Sequence, residues 1–328
     1  MQVISHRGYK AKFPENTLLG FENAYKAGAD AIETDVQVTK DGVMVINHDA
    51  STGRLYNKDL TIVDSTLEEL KKLRTINGDQ QILTLEELLH WLLEHRDTKL
   101  LLDVKPLLPK IAMVKIYTMM LRVSEDVSFW HEHVMCGLWS VDWVEYGVET
   151  GVLKHFDVVA ITLSLDVARK FVDFFKELED DNYNLLSISV HFVSTWTEQF
   201  RFEILPILKR ERIQLFVWTV NNIIDVKYLN QYSVDPQMIG IVTDDPQEAK
   251  EVLVPAFKPL PTTEKKSDFV AFKAPKWTTK DGFRFHSYLI IYQFVTALLF
   301  SSWFRKEFVP GYSIASLMFM FLRSIHFI

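Results

Sequence analysis

The chain has 328 residues, 48% apolar and 24% charged, a balance that excludes intrinsic disorder, collagen and a disulfide-stapled miniature. A net charge of −7 argues against nucleic acid as a partner, which calls for a basic footprint. The single cysteine, Cys136, forbids an internal disulfide and a multi-cysteine zinc site.

The charge is divided unevenly. Residues 258–284 hold seven Lys/Arg against three Asp/Glu, and 285–328 hold three against one, so the first 257 residues carry −13 and the tail +6. The N-terminal Met1-Gln2-Val3-Ile4-Ser5-His6 has no basic run before an apolar core, so no signal peptide is expected. The body is expected in the cytosol, consistent with a free thiol.

In chain order, β-branched apolar runs predict strands at 2–6, 30–36, 99–104, 134–138, 157–162, 186–190, 214–219 and 239–243. Helical patterns fit between them at 17–27, 85–95, 110–122, 141–153, 166–178, 196–210, 224–231 and 246–254. Thr84 with Glu87 reads as a capping box. Val43-Met44-Val45-Ile46 is an extra strand, and 49–82 is a polar insertion with a short helix near 66–73. Eight strands alternating with helices predict an α/β fold, a (β/α)8 TIM barrel spanning 1–257. An open doubly wound sheet would carry a Gly-rich phosphate loop after its first strand, and none is present.

In such a barrel the chemistry sits at the C-terminal strand ends. His6 and Arg7 close the first strand. Glu33 and Asp35 lie two apart on the second and share a face, as do Asp103 and Lys105 on the third. His48 and Asp49 close the extra strand. One strand-end carboxylate is usually a helix cap or surface charge, but two at i, i+2 in an apolar strand repel unless a cation sits between them. Three hard oxygen ligands, Glu33, Asp35 and Asp103, suit Mg²⁺ or Ca²⁺. Two histidines, an arginine and a lysine around one divalent cation suit phosphoryl chemistry.

These residues also carry a family resemblance. His6-Arg7-Gly8, Pro14-Glu15-Asn16-Thr17, Ile32-Glu33-Thr34-Asp35-Val36, His48-Asp49, Leu102-Asp103-Val104-Lys105, Trp218-Thr219-Val220-Asn221 and Gly240-Ile241-Val242-Thr243-Asp244-Asp245-Pro246 resemble, in order, the motifs of the glycerophosphodiester phosphodiesterases. Within that family the resemblance is strongest to the fungal phosphatidylglycerol-specific phospholipase C branch, through Gly137-Leu138-Trp139, Ile188–Ser194 and the tail. The resemblance implies metal ligation by Glu33, Asp35 and Asp103, phosphate binding by Arg7 and Lys105, and acid–base roles for His6 and His48. One departure is that the family's third-strand ligand is commonly Glu, and Asp103 is shorter by about 1.5 Å. Trp218 is a candidate for packing on the substrate glycerol or on the barrel top, and His191 for a headgroup contact. Asp244 is expected to orient a loop, and His90, His95, His131 and His133 to be surface or helix residues.

The implied activity is a phospholipase C that cleaves phosphatidylglycerol. The alternatives are a glycerophosphodiesterase for water-soluble diesters, a lysophospholipase D and an inactive lipid-binding module. The tail reads as a basic linker, 258–284, and a hydrophobic anchor, 285–328. Phe285–Phe304 is twenty residues with only His286 ionisable, just long enough to span, and Phe308–Leu322 is short for a crossing. Because the barrel is already complete, nothing remains to bury these segments. A helical hairpin in one leaflet is expected, with a single-span anchor as the alternative. The expected partners are anionic phospholipid and the surface of a membrane or lipid droplet. The barrel would stay on the cytosolic side, at the endoplasmic reticulum, a lipid droplet or the mitochondrial outer surface.

Overall fold

The structure, a computed structural model, describes residues 1–232, 234–259, 274–300, 307–309 and 312–313. Ten strands occur in the main sheet: β1 (Gln2–His6), β2 (Ala31–Val38), β3 (Met44–Ile46), β4 (Leu83–Thr84), β5 (Lys99–Val104), β6 (Val134–Leu138), β7 (Asp157–Thr162), β8 (Asn184–His191), β9 (Gln214–Trp218) and β10 (Ile239–Thr243). Eight of them, β1, β2 and β5 to β10, run parallel in sequence order, and β10 pairs back onto β1. The sheet therefore closes into the expected TIM barrel. β3 and β4 extend β2 antiparallel, outside the barrel circuit.

The barrel interior is filled by alternate residues of successive strands: Ile4, Ala31, Leu101, Met135, Val159, Ile161, Phe216 and Val242. Their neighbours on the other face pack against the surrounding helices. These are α1 (Leu18–Lys26), α2 (Leu67–Lys71), α3 (Leu85–Glu94), α4 (Ile111–Val123), α5 (Val127–His133), α6 (Val141–Glu149), α7 (Leu165–Leu178), α8 (Leu205–Glu211), α9 (Ile223–Leu229), α10 (Pro246–Glu248) and α11 (Val254–Ala256), followed by α12 (Lys280–Phe300). The Thr84–Glu87 capping box is present, and the insertion helix α2 has its own box, Thr66–Glu69.

Two expected helices are irregular for one physical reason. The stretch predicted as 196–210 is a 3-10 turn at Phe192–Trp196, a π-helical turn at Phe200–Ile204, then α8. The stretch predicted as 246–254 has a π-helical turn at Ala249–Leu253 before α11. Each widened turn ends two residues before a proline, Pro206 or Pro255, whose missing N–H cannot close the ordinary helical bond. The sequence reading also lacked α5. His133 on that helix is not a surface residue: its ring is buried between the carbonyls of Phe129 and Arg96, both at 2.8 Å.

The tail departs most from expectation. Among the described residues no helix is long and apolar enough to cross a membrane. α12 lies against the barrel and buries one face there, contrary to the expectation that a completed barrel leaves nothing to cover it. Phe285 stacks on Trp196 at 4.7 Å, Tyr292 donates to the carbonyl of Leu163 at 2.6 Å, and Val295 is buried. Arg284 forks onto both oxygens of Asp225 at 2.8 and 3.1 Å, and Asp225 is 2% exposed. Phe192 and Trp196 after β8 and Tyr228 on α9 present an aromatic surface, and α12 covers it. Its opposite face keeps Phe283, Ile290, Ile291 and Phe294 in solvent. About half of the expected linker (260–273) and most of the second apolar segment lie outside the described residues. Within the latter, two short strands, Glu307–Val309 and Tyr312–Ser313, pair antiparallel.

Candidate active site

The strand register builds the site directly. His6 on β1 pairs with Glu33 on β2, and Asp35 on β2 pairs with Asp103 on β5. Counted by twos from the interior residues Ile4, Ala31 and Leu101, all four side chains fall on the inward face, His6, Glu33 and Asp103 one step beyond them and Asp35 two. One oxygen each from Glu33, Asp35 and Asp103 fall within 4.8 Å of one another, and all three residues are buried. The chain turns sharply after β1. Gly8 takes φ +83°, and a Cβ there would lie 2.9 Å from the carbonyl carbon of Gly20, so only glycine fits. This turn brings the Arg7 amide onto the Glu33 carboxylate at 3.0 Å.

Cations are woven between the carboxylates. Lys105 Nζ lies 2.5 Å from both Asp35 Oδ1 and Asp103 Oδ2. Arg7 approaches Asp35 at 3.4 Å and Glu15 at 3.2 Å. Asn16 donates to Asp35 Oδ2 at 2.9 Å and accepts from Thr34 at 2.9 Å. Arg54, from the insertion after β3, clasps Glu15 and reaches Asp49 at 2.6 Å.

The charges are far from balanced. Burial, then the adjacent Asp35, holds the Glu33 carboxyl well above the usual carboxylate range. For Asp35 burial acts upward, but Lys105, His48 and Arg7 outweigh it and hold the carboxyl well below that range. Burial raises Asp103, with Lys105 opposing. Burial works to lower the Lys105 ammonium, yet Asp103 and Asp35 push it up to about 12. A buried acid trio of which Glu33 resists ionising is the donor set a hard divalent cation would complete. The residues present therefore fit a metal.

Each histidine has its own aspartate. His6 Nδ1 is 2.6 Å from Asp244 Oδ1, and His48 Nδ1 is 3.0 Å from Asp49 Oδ1. An ionised carboxylate accepts the Nδ1 proton, which leaves Nε2 of each neutral ring with its lone pair. Burial, then Arg7, takes His6 down to about 4, and burial, then Lys105, takes His48 down to about 3. Both rings are thus neutral before an anion arrives. Asp244 is itself held by Asn221, whose amide donates to Oδ2 at 2.8 Å. Asp244 was expected only to orient a loop, and the partnership with His6 was missed because 238 residues separate them.

The weaker candidates part company. Trp218 ends β9 and is half-buried beside Trp139, with ring centroids 6.4 Å apart, and its peptide bond to Thr219 is cis. His191 is buried among Phe192, Trp218 and Tyr292, and its Nδ1 accepts from the Val193 amide. It stands behind Trp218, under α12. Trp139, quoted only within a motif, donates its indole N–H to Asp103 Oδ1 at 2.6 Å.

Residues 6–248 match the Glycerophosphoryl diester phosphodiesterase family. The chain is 29% identical over 258 residues to the glycerophosphodiester phosphodiesterase of Caldanaerobacter subterraneus subsp. tengcongensis, covering 75% of this chain and 94% of that one. Among solved structures, it is similar in fold to a putative glycerophosphoryl diester phosphodiesterase from Silicibacter pomeroyi, with a TM-score of 0.61, 20% identity, and coverage of 79% and 95%. It is likewise similar to an Oleispira antarctica phosphodiesterase in complex with the product sn-glycerol-3-phosphate, with a TM-score of 0.60, 20% identity, and coverage of 78% and 96%. With a sequence match that runs from His6 at the end of β1 past β10, and an acidic trio fitted for the divalent metal on which the family depends, this chain belongs to the glycerophosphoryl diester phosphodiesterase family and is a phosphoric diester hydrolase.

Proposed function

We propose that this hydrolase is a phospholipase C acting on phosphatidylglycerol, releasing diacylglycerol and glycerol phosphate. The observation that carries the acid–base chemistry is the pair of histidines, each with Nδ1 held by its own aspartate, beside the carboxylate trio. A divalent cation held by Glu33, Asp35 and Asp103 would supply positive charge to the phosphate oxygens. Arg7 and Lys105 bear on the same oxygens and stabilise the charge of the pentavalent state.

The headgroup glycerol carries a 2-hydroxyl beside the phosphodiester. Nε2 of one histidine takes the proton of that hydroxyl, whose oxygen then bonds to phosphorus. The bond to the diacylglycerol oxygen breaks, and the other histidine delivers a proton to it. Water next opens the cyclic glycerol phosphate with the proton transfers reversed. The incoming phosphodiester anion raises both histidine pKa values by its charge, which lets the second ring carry the proton the step needs. An internal nucleophile gains up to about 7–11 kcal/mol of proximity in model systems.

The lipid part of the reading is supported by α12. It packs on the segments that follow β7 and β8 and on α9, through Tyr292 on Leu163, Phe285 on Trp196 and Tyr228, so its exposed Ile290, Ile291 and Phe294 lie beside the C-terminal strand ends. An apolar patch there suits an anionic membrane or lipid-droplet surface reached from the cytosol. The second reading, a glycerophosphodiesterase for water-soluble diesters, is favoured by the family and by the Caldanaerobacter relative. Supplying the purified full chain with phosphatidylglycerol vesicles, glycerophosphoglycerol and phosphatidylcholine vesicles, each with Mg²⁺ or Ca²⁺, decides between them. Diacylglycerol from phosphatidylglycerol alone is expected. Hydrolysis of glycerophosphoglycerol with no diacylglycerol from the vesicles overturns the phospholipase reading.

A further inference from the structure

Asp103 is the acidic residue that the third barrel strand contributes to the trio, and one of its oxygens accepts from an indole N–H. We propose that Trp139 is a positioning residue for the metal site, its indole N–H fixing the Asp103 carboxylate so that one chosen oxygen is offered to the cation. This rests on reading Glu33, Asp35 and Asp103 as metal ligands.

The backbone sets up the contact. Asp103 pairs in register with Gly137 on β6. Gly137 occupies the inward layer of the carboxylates, between Met135 below and Trp139 above, and it has no side chain to stand beside Asp103. The space is already taken: a Cβ at Gly137 would lie 2.7 Å from Ile161 Cδ1 and 3.0 Å from the Leu102 carbonyl oxygen. Trp139, two residues on and on the same face, therefore meets the carboxylate without an intervening β6 side chain. Its Nε1–H donates to Oδ1 at 2.6 Å.

The two oxygens of Asp103 are thus given different partners. Oδ1 belongs to the indole, while Oδ2 lies 2.5 Å from the Lys105 ammonium that also holds Asp35 Oδ1. A carboxylate with both oxygens free can rotate about its last bond and turn either oxygen, or both, toward a cation. With Oδ1 pinned, that freedom is lost before the metal arrives. Partners of this kind, one shell out from a ligand, change metal affinity by about 10–100-fold when removed. The ring itself is further seated by the Lys105 ammonium 6.0 Å from its centroid and by Trp218 at 6.4 Å.

The test is calorimetric titration of the metal-stripped full chain with Mg²⁺, and separately with Ca²⁺. Trp139→Phe keeps the aromatic bulk and removes the donor, and at least a 10-fold weaker binding of the preferred ion is expected. Trp139→His restores a ring N–H and is expected to recover part of the loss. Equal binding by the parent and Trp139→Phe overturns the assignment. A parent that binds neither ion overturns the metal reading beneath it, so the two failures are distinct. Should Trp139→Phe not fold, the unmutated chain still decides, using ¹⁵N-indole spectra with Trp139→His for assignment. A Trp139 N–H that exchanges with solvent as fast as that of exposed Trp277, with or without Mg²⁺, also overturns it.

Discussion

Asp244 accepts a 2.6 Å hydrogen bond from Nδ1 of His6 across 238 residues of chain, joining the last barrel strand to the first. The bond fixes which ring nitrogen is free, and Asn221 and Lys10 in turn hold the carboxylate. Asp244→Asn can present an amide N–H instead and favour the other tautomer. A fall in kcat of about 10²–10⁴-fold with little change in KM is expected, by analogy with a misdirected catalytic imidazole. Steady-state kinetics check it, and an unchanged kcat would remove Asp244 from the mechanism.

Glu15 should make the fold acid-sensitive. Burial acts upward on its carboxyl, but Arg7 and Arg54 bring it from 4.5 down to about 2. A depressed carboxylate stabilises the fold fully above its unfolded pKa, and the contribution is lost as pH falls through the folded value. Between pH 5 and pH 3 this one group should cost about 2 kcal/mol. Urea unfolding at the two pH values, compared with Glu15→Gln, measures it. The variant should lose less stability over that interval than the parent.

Arg284 and Asp225 hold α12 to the barrel. Arg284→Ala leaves a carboxylate at 2% exposure without its cation, and the loss should be about 3 kcal/mol. Hydrogen exchange should accelerate across 280–300 more than across the barrel strands. Uniform exchange in parent and variant would show that the pair does not secure the helix.

Much of the site was legible because its residues obey the period of a strand. Glu33 with Asp35, and Asp103 with Lys105, announce their common face by spacing alone. The rest was hidden where contact depends on closure of the barrel. Nothing near Asp244 reveals His6, and nothing near Trp139 reveals Asp103, 36 residues earlier. The packing of 285–300 was missed for a related reason. An apolar count over 285–304 cannot show that Phe192, Trp196 and Tyr228 leave aromatic surface on the loops and α9 for one face of a helix to cover.

The outer face of that helix gives a separable prediction. Replacing Ile290, Ile291 and Phe294 together by Ser leaves the buried Phe285, Tyr292 and Val295 in place. Turnover of phosphatidylglycerol in vesicles should fall about 10-fold or more, as apolar area for the interface is lost, while thermal stability is kept. Flotation with phosphatidylglycerol vesicles should fall in parallel. Unchanged flotation would refute a lipid role for this face.

Metal should bind the folded chain and stabilise it. At 100 times Kd, Mg²⁺ or Ca²⁺ should add about 2.7 kcal/mol. Asp35→Asn, which removes a charge from the trio, should abolish the thermal shift. A shift of equal size in the variant would place the ion elsewhere.

The covering of the β7 and β8 loops by α12 bears on how the enzyme can be handled. A truncation after Phe257, the natural cut for anyone counting eight strands, would strip Trp196 and Tyr228 of their stacking partner Phe285 and strand Asp225 without Arg284. The shortened protein would meet water with a bare aromatic shelf at its catalytic rim. Aggregation of such a fragment would then report on the missing helix and not on any fault in the barrel.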